Sequence, residues 1–221
     1  MTTLTTPPLS TLLERLFAEA DETQSAFRAE RARLSPAERA ARMGDTADYK
    51  TFYMTHAKNV HLAVSRETAR LLYMLARSMK ARSIVEFGTS FGISTLHLAA
   101  ALKDNGGGRV IGSKFEPAKV ARARANMAAA GLADLVEIRE GDALETLSRD
   151  LPEVIDLVLL DGAKTLYAQV LSQLAPRLRS GALIVADNAD MCPEYLARVQ
   201  SPGSGYLSMT IGGDVELTMK T

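Results

Sequence analysis

The sequence predicts an α/β fold: a doubly wound, mostly parallel sheet of seven strands that ends in an antiparallel hairpin and follows a helical N-terminal cap. After residue 82, short apolar or β-branched runs alternate with helix-period segments, which is typical of right-handed β-α-β crossovers. The run IDLVLL at 155–160 has no polar alternation, as expected of a strand buried on both faces. We expect residues 1–80 to form the cap and residues 81–221 the main α/β unit of the same domain.

Helical periodicity predicts the elements of the cap. Apolar side chains recur at three- and four-residue spacing over 9–33, and the same pattern returns over 64–79. Ser35 and Pro36 suit the N-cap and the first position of a second, short helix. A mixed stretch from 44 to 61, rich in polar and aromatic residues, lies between these segments. No run before residue 81 alternates like a strand.

The main unit contains seven candidate strands, at 83–87, 109–115, 136–140, 155–160, 182–186, 206–211 and 215–219. Helices are predicted between the first five, at 93–103, 117–130, 143–149 and 165–178. The last two strands flank Gly212-Gly213-Asp214, which indicates a hairpin. Ligands of doubly wound sheets bind beyond the carboxyl ends of the strands, near the point where the strand order reverses. Functional residues are therefore expected there.

Composition excludes several classes of partner. The 221 residues are 47% apolar and 24% charged, which is typical of a folded globular protein. Lys plus Arg and Asp plus Glu each number 26, so the chain lacks the positive excess of nucleic-acid and anionic-membrane binders. No apolar run reaches the about 18–20 residues of a membrane span. The single cysteine, Cys192, fits a reducing compartment, and we expect a cytoplasmic protein.

The first strand runs into a glycine-containing turn, Glu86-Phe87-Gly88-Thr89-Ser90-Phe91-Gly92. The dinucleotide fingerprint would need glycines at 88, 90 and 93, but Ser90 and Ile93 occupy two of these positions. Glu86 would repel a pyrophosphate and attract an ammonium group, such as that of S-adenosylmethionine. The alternative is an ordinary strand-to-helix turn with a solvated Glu86.

The ends of the next two strands carry candidate contacts to a nucleoside. Glu116 is able to accept hydrogen bonds from ribose hydroxyls, or to act as an acid in the first turn of the following helix. Lys114 lies on the same side of the strand as Glu116, and a lysine donates to a hydroxyl but cannot accept from it. Asp142, after the third strand, is able to accept from an adenine amino group or to cap the next helix.

Acidic and amide side chains follow the fourth and fifth strands. Asp161 ends one strand and Asp187-Asn188 the other, so three oxygen donors of the kind Mg²⁺ prefers would meet at one edge of the sheet. A cation there would favour loss of the proton from a bound phenolic hydroxyl, and Lys164 could take that proton. The alternative is a set of capping residues with a surface lysine.

Three motifs together resemble the cation-dependent class I S-adenosylmethionine O-methyltransferases, the family of the catechol and caffeoyl-CoA enzymes: VEFGTSFGIST at 85–95, LLDGAK at 159–164 and VADNAD at 185–190. The resemblance extends from about Lys58 to the end of the chain. It implies metal-dependent methylation of a catechol-like hydroxyl on a small molecule, a homodimer, metal ligands Asp161, Asp187 and Asn188, and Lys164 as the catalytic residue. The cofactor positions that it implies are Val60, Glu86, Gly88, Thr89, Ser94, Ala143 and Asp161, beside Lys114, Glu116 and Asp142.

Two departures from the family leave alternatives open. Lys114 occupies the position of the family's ribose-binding acid, so either Glu116 has taken over the ribose, or cofactor affinity is reduced, or the lysine is an alteration of a natural parent. Gly162-Ala163 replaces bulkier side chains of the catechol enzymes. The alternatives to an O-methyltransferase are a protein that keeps the cofactor fold with weakened or lost catalysis, and an NAD(P)-dependent oxidoreductase.

Overall fold

The computed structural model describes residues 2–38 and 49–221. Seven strands form one sheet in the order β3-β2-β1-β4-β5-β7-β6. They are β1 (Ser83–Phe87), β2 (Arg109–Lys114), β3 (Val136–Glu140), β4 (Ile155–Leu160), β5 (Leu178–Ala186), β6 (Tyr206–Ile211) and β7 (Val215–Lys220). Neighbours among β1–β5 pair in parallel, and β7 is antiparallel to both β5 and β6. The predicted fold class is confirmed, and the strand order reverses between β1 and β4.

The described helices are α1 (Leu9–Ala32), α2 (Tyr49–Thr55), α3 (Arg66–Ser78), α4 (Ile93–Asp104), α5 (Pro117–Ala129), α6 (Ala143–Thr146), α7 (Tyr167–Leu174) and α8 (Pro193–Gln200). Sequence periodicity does not predict α2 or α8, which have only 7 and 8 residues. The helix predicted to start after Ser35 is helical at 36–38, and any continuation lies outside the described residues. None of the described helices is long and apolar enough to cross a membrane.

The largest difference from the predicted strand boundaries is at the start of β5. β5 begins at Leu178, four residues before its apolar part, because Leu178 pairs with Ile155 ahead of an irregularity in the β4–β5 register. The segment at this irregularity is polar, Arg179-Ser180-Gly181, so the start of the strand is not recognisable in the sequence. The helix predicted over 165–178 is shorter for the same reason, since α7 ends at Leu174 and a single 3-10 turn follows.

The cap shares its core with the sheet. Leu12 and Leu16 of α1 are buried in the same cluster as Ile84 of β1 and Leu157 of β4. The opposite face of the sheet packs against α7 and α8 in a second cluster. The later turns of α1 line a cavity together with Asp161 and Asp187, at the ends of β4 and β5.

His97 of α4 is buried in the core and makes the stability of the fold depend on pH. Its Nδ1–H donates to the carbonyl of Ile93 at 2.8 Å, and the ring is 3% exposed. Burial lowers the pKa of His97 to about 4, and the charge of Arg70 acts in the same direction.

Because unfolded histidine titrates near about 6.5, the unfolded chain binds the proton first. The contribution of His97 to the free energy of unfolding is therefore fully present above about pH 6.5, and it falls by about 3 kcal/mol as the pH drops to about 4. We expect the difference in unfolding free energy between the wild type and His97→Gln, measured by urea denaturation, to shrink over that interval. A difference that does not change with pH would contradict this assignment.

Candidate active site

The carboxyl ends of β1, β4 and β5 meet at the point where the strand order reverses. The Asp161 N–H donates to the carbonyl of Phe87 at 2.8 Å, and the Asp187 N–H donates to the carbonyl of Leu160 at 2.9 Å. Each strand exit is thus fixed to its neighbour by a backbone hydrogen bond. The two acidic strand ends predicted to be adjacent are adjacent in the sheet.

Gly88 lets the exits of β1 and β4 touch. Its φ is +108°, and a Cβ at this position would lie 2.2 Å from the carbonyl oxygen of Asp161. At Gly162, a Cβ would lie 2.3 Å from the ring of Phe87. The Phe87 ring therefore takes up the room that a larger side chain at 162 would need, which accounts for one of the two departures from the family pattern.

Glu86 stabilises the turn between β1 and α4 through hydrogen bonds to its carboxylate. Its buried carboxylate accepts hydrogen bonds from the hydroxyls of Thr89 at 2.8 Å, Ser94 at 2.6 Å and Thr95 at 2.5 Å. Burial raises the pKa of Glu86, and the three hydroxyl bonds oppose that shift. Two of the predicted cofactor contacts, Thr89 and Ser94, therefore donate to a third, Glu86, and these bonds set the shape of the turn.

A buried group of three charges lies beyond the end of β2. Lys114 Nζ is 2.5 Å from Glu116 Oε2, and Lys119 Nζ is 3.4 Å from Glu116 Oε1. Lys119 also donates to the carbonyls of Ala57 and Val60, which links this group to the cap. Burial lowers the pKa of Lys119 to about 8, and the charge of Lys114 acts in the same direction. Of these three residues, Lys114 is the one that lines the glycine-turn cavity.

Asp142 caps α6 and also holds α2. Its carboxylate accepts from the Leu144 N–H at 2.9 Å and lies 2.5 Å from Nζ of Lys50. Burial raises the pKa of Asp142, but the bonds from Lys50 and Leu144 outweigh burial and hold that pKa below its usual value. The helix-capping alternative is therefore realised, and Lys50 is a partner that the sequence did not indicate.

Lys164 is held in place by three oxygen atoms. Its Nζ lies 3.2 Å from Asp161 Oδ1, 3.0 Å from the carbonyl oxygen of Asp187 and 2.7 Å from the hydroxyl of Tyr167. The buried Tyr167 hydroxyl itself donates to the carbonyl of Asp187 at 2.9 Å. The lysine predicted to be catalytic is thus fixed between the exits of β4 and β5.

Apart from the bond between Lys164 and Asp161, no described residue donates a hydrogen bond to the side-chain oxygen atoms of Asp161, Asp187 or Asn188. Within residues 2–38 and 49–221, neither the Asp187 carboxylate nor Asn188 Oδ1 takes part in a hydrogen bond, and Asp161 accepts only from Lys164. Burial, followed by repulsion from Asp161, raises the pKa of Asp187 to about 7.

Two crowded carboxylates beside an amide oxygen fit a divalent cation, because a positive charge would relieve their repulsion. No three His, Cys, Asp or Glu side chains of the described residues converge in this way, so Asn188 would have to supply the third donor.

Two cavities meet at these oxygen atoms. The first, here called the glycine-turn cavity, has a volume of about 430 Å³ and is lined by Gly88, Ser113, Lys114, Gly141 and Ala143, among others. The second, the α1 cavity, has a volume of about 570 Å³ and lies between α1, residues 62–68 and Asp214. Phe27, Leu62, Asp161 and Asn188 line both. Both volumes fall within the about 300–1,000 Å³ of small-molecule sites.

An aromatic wall from α2 lines one side of the glycine-turn cavity. The rings of Tyr49 and Tyr53 pack edge-on against Phe115, with centroids 6.0 Å and 6.1 Å apart. Phe52 packs in the same way against Phe27 of α1, at 6.3 Å. Tyr49, Phe52 and Tyr53 come from the mixed polar and aromatic stretch at 44–61, and the sequence did not indicate that they form part of the site.

Some of the predicted site residues line the glycine-turn cavity, and others do not. Those that line it are Gly88, Lys114, Ala143, Asp161, Lys164 and Asn188. Asp187 lines the α1 cavity, and Thr89 and Ser94 line a void of about 10 Å³ beside the turn. In the described part of the chain, Val60, Glu86, Glu116 and Asp142 line none of these three spaces. Their roles toward a cofactor stay predictions.

The sheet order, the glycine turn and the strand-end cluster define a Rossmann-like methyltransferase fold. Residues 85–189 match the family described as Methyltransferase domain. A catechol O-methyltransferase of Niastella koreensis is 35% identical over 130 residues, which are 58% of this chain and 58% of that protein. The catechol O-methyltransferase of Mycobacterium tuberculosis is 38% identical over 130 residues, 58% of this chain and 57% of that protein.

A solved structure agrees in fold. The O-methyltransferase of Bacillus cereus, in complex with S-adenosylhomocysteine (SAH), is 22% identical with a TM-score of 0.66, and the match covers 92% of this chain and 98% of that one. Over residues 85–189 the chain is similar to the Methyltransferase domain family, and it shares the fold of the Bacillus cereus O-methyltransferase. It matches 58% and 57% of the lengths of the two catechol enzymes.

Proposed function

We propose that this protein is an S-adenosylmethionine-dependent, divalent-metal-dependent O-methyltransferase that acts on a vicinal hydroxyl of a catechol-like small molecule. The observation that carries the proposal is the junction of the two cavities at Asp161 and Asn188. A donor in the glycine-turn cavity and an acceptor in the α1 cavity would meet there, beside Lys164. The predicted homodimer stays a prediction.

The cofactor would lie in the glycine-turn cavity. Gly88 lines this cavity, and Lys114 stands where the ribose is expected. Phe115, Tyr49 and Tyr53 offer apolar faces to an adenine ring. The same aromatic wall excludes water from the sulfonium group, which favours transfer of the methyl group to the acceptor over its hydrolysis.

Asp161, Asp187 and Asn188 would hold the cation, which when bound lowers the pKa of an acceptor hydroxyl. Lys164, fixed beside Asp161 and Tyr167, would first lose a proton to solvent and, as the neutral amine, would take the hydroxyl proton. The hydroxyl oxygen then forms a bond to the methyl carbon as the carbon–sulfur bond breaks, and the sulfonium becomes the thioether of SAH. The chain thus contributes orientation, a proton acceptor and a dry site.

Transfer of a labelled methyl group from S-adenosylmethionine tests the proposal. We expect methylation of catechol and of 3,4-dihydroxybenzoate, loss of this activity in EDTA, and recovery with excess Mg²⁺. Resorcinol, whose hydroxyls are not vicinal, is the matched control and should react far more slowly. Activity that resists chelation would contradict the metal requirement, and equal rates for catechol and resorcinol would contradict the vicinal acceptor.

Lys114 should weaken cofactor binding, because an ammonium cannot accept hydrogen bonds from the ribose hydroxyls. Lys114→Glu is expected to tighten SAH binding by about 10–100-fold, as hydrogen bonds to a charged group contribute about 1.5–3 kcal/mol. Calorimetric titration with SAH measures the change. Lys114→Met, which removes the ammonium without adding an acceptor, is the control, and equal affinities of the two variants would contradict this account.

The same titration separates the alternative functions. No SAH binding by the wild type or by Lys114→Glu would favour a protein that keeps the fold without the activity. Stabilisation by NAD(P) in a thermal-shift assay, without stabilisation by SAH, would favour an oxidoreductase. Ser90 and Ile93 already count against the second alternative, since they replace two glycines that a pyrophosphate requires.

A further inference from the structure

Asp214, in the turn between β6 and β7, contacts the strand-end cluster from the antiparallel side of the sheet. The Ala189 N–H donates to its carbonyl at 2.7 Å, which fixes the turn to the end of β5. Asn188 Nδ2 donates to Asp214 Oδ2 at 3.4 Å. Asp214 lines the α1 cavity together with Asp161, Asp187 and Asn188. It was not among the residues that the sequence indicated.

We propose that Asp214 is a positioning residue that orients the carboxamide of Asn188 for the cation; this inference rests on the proposed function. A carboxamide carries an oxygen that binds cations and an NH₂ group that cannot. By accepting from Nδ2, Asp214 keeps the NH₂ group on its own side and leaves Oδ1 as the free donor. Partners of this kind typically change metal affinity by about 10–100-fold.

Nothing else in the described structure selects between the two orientations of this amide. The backbone of Asn188 is fixed in the left-handed region at φ 51°. Among residues 2–38 and 49–221, Asp214 is the only hydrogen-bond partner of the Asn188 side chain. If the bond to Asp214 is lost, the amide is free to turn its NH₂ group toward Asp161 and Asp187, where it would repel a cation.

A loss of affinity on removing Asp214 could also follow from the loss of one negative charge. Two substitutions separate charge from orientation. Asp214→Asn removes the charge but keeps an oxygen able to accept from Asn188, whereas Asp214→Ala removes both. Asp190→Ala is the matched control, because Asp190 is exposed, lies close enough to act on the charge of Asp187, and has no hydrogen bond to the Asn188 side chain in the described structure.

The measurement is Mn²⁺ binding to SAH-saturated protein without acceptor, followed by the electron paramagnetic resonance signal of free Mn²⁺. We expect Asp214→Ala to weaken binding at least about tenfold, and Asp214→Asn and Asp190→Ala to stay within about threefold of the wild type. Thermal unfolding checks that each variant is folded. Equal losses in Asp214→Ala and Asp214→Asn, or no loss in Asp214→Ala, would overturn the proposal.

Replacing Asp214 in an Asn188→Asp variant tests whether Asp214 acts through Asn188. In Asn188→Asp, either carboxylate oxygen can bind the cation, so there is no amide to orient. Adding Asp214→Ala in this background should then produce no further loss. A tenfold loss there as well would overturn the proposal. A wild type that binds no Mn²⁺ would instead refute the metal requirement of the proposed function, and the positioning role with it.

Discussion

Replacing Lys164 with methionine is expected to lower kcat by about 10²–10⁴-fold, the usual contribution of a positioned general base. Lys164 is bound to Asp161, Tyr167 and the Asp187 carbonyl, so its nitrogen has a fixed place at the junction of the cavities. Methionine keeps most of the length and the apolar packing of the side chain. We expect the SAH affinity to change by less than about threefold, because the proposed mechanism gives Lys164 a bond to the acceptor hydroxyl and none to the cofactor.

Lys164→Arg distinguishes proton transfer from electrostatic stabilisation. Arginine retains the positive charge beside Asp161 but does not lose its proton in proteins. Under the proposed mechanism, Lys164→Arg should be nearly as slow as Lys164→Met. Single-turnover rates with saturating S-adenosylmethionine and catechol measure the chemical step directly. A Lys164→Arg variant with close to wild-type rates would show that Lys164 serves as a charge, and the general base would have to be sought elsewhere.

Gly88→Ala is expected to lower the free energy of unfolding by about 2–4 kcal/mol and to abolish SAH binding. The added methyl group would overlap the Asp161 carbonyl at 2.2 Å, and this contact is with backbone that cannot turn aside. To make room, the exits of β1 and β4 must separate. That movement would displace Asp161 from Lys164 and widen the junction between the cavities.

Gly131→Ala is the control for the effect of backbone conformation alone. Gly131 also has a positive φ, +64°, but a Cβ there would meet nothing within 4 Å. Gly131→Ala should lower the free energy of unfolding by about 1–2 kcal/mol, because alanine is strained in the left-handed conformation. We expect it to leave SAH binding unchanged. Urea denaturation and SAH titration of both variants provide the comparison. Equal destabilisation by the two substitutions would show that the contact between Gly88 and Asp161 does not constrain the strand ends.

The strand-end residues could be predicted because local pattern and topology agree there. IDLVLL reads as a strand buried on both faces, and parallel strands place their carboxyl ends at one edge. That reasoning alone brings Asp161 and Asp187 onto neighbouring strands, as the paired residues Leu160 and Ala186 confirm. The prediction needed no knowledge of how the helices pack.

The rest of the site depends on contacts between distant parts of the chain, which no local pattern records. Lys50 and Asp142 are separated by 92 positions and meet only because α2 lies over the end of β3. Asp214 reaches Asn188 only through the pairing of β7 with β5. Helix α2 was missed because its seven residues are too short a window for a helical pattern to stand out, although Tyr49, Phe52 and Tyr53 have the i, i+3, i+4 spacing of a helix.

Glu86 illustrates a different limit of the sequence. A carboxylate at the end of the first strand predicts an ammonium ligand, yet the same carboxylate accepts from three hydroxyls within nine residues of it. Thr89, Ser94 and Thr95 are visible in the sequence as candidate partners. What the sequence does not reveal is which way the carboxylate points, because both orientations satisfy a buried charge.

The most direct test is a crystal of the protein grown with SAH and Mn²⁺, with diffraction recorded at the manganese absorption edge. The account predicts one anomalous peak at the junction of the two cavities, about 2.0–2.3 Å from oxygen atoms of Asp161, Asp187 and Asn188, with SAH in the glycine-turn cavity. A fully occupied SAH site with no anomalous peak at these residues, at millimolar Mn²⁺, would contradict it.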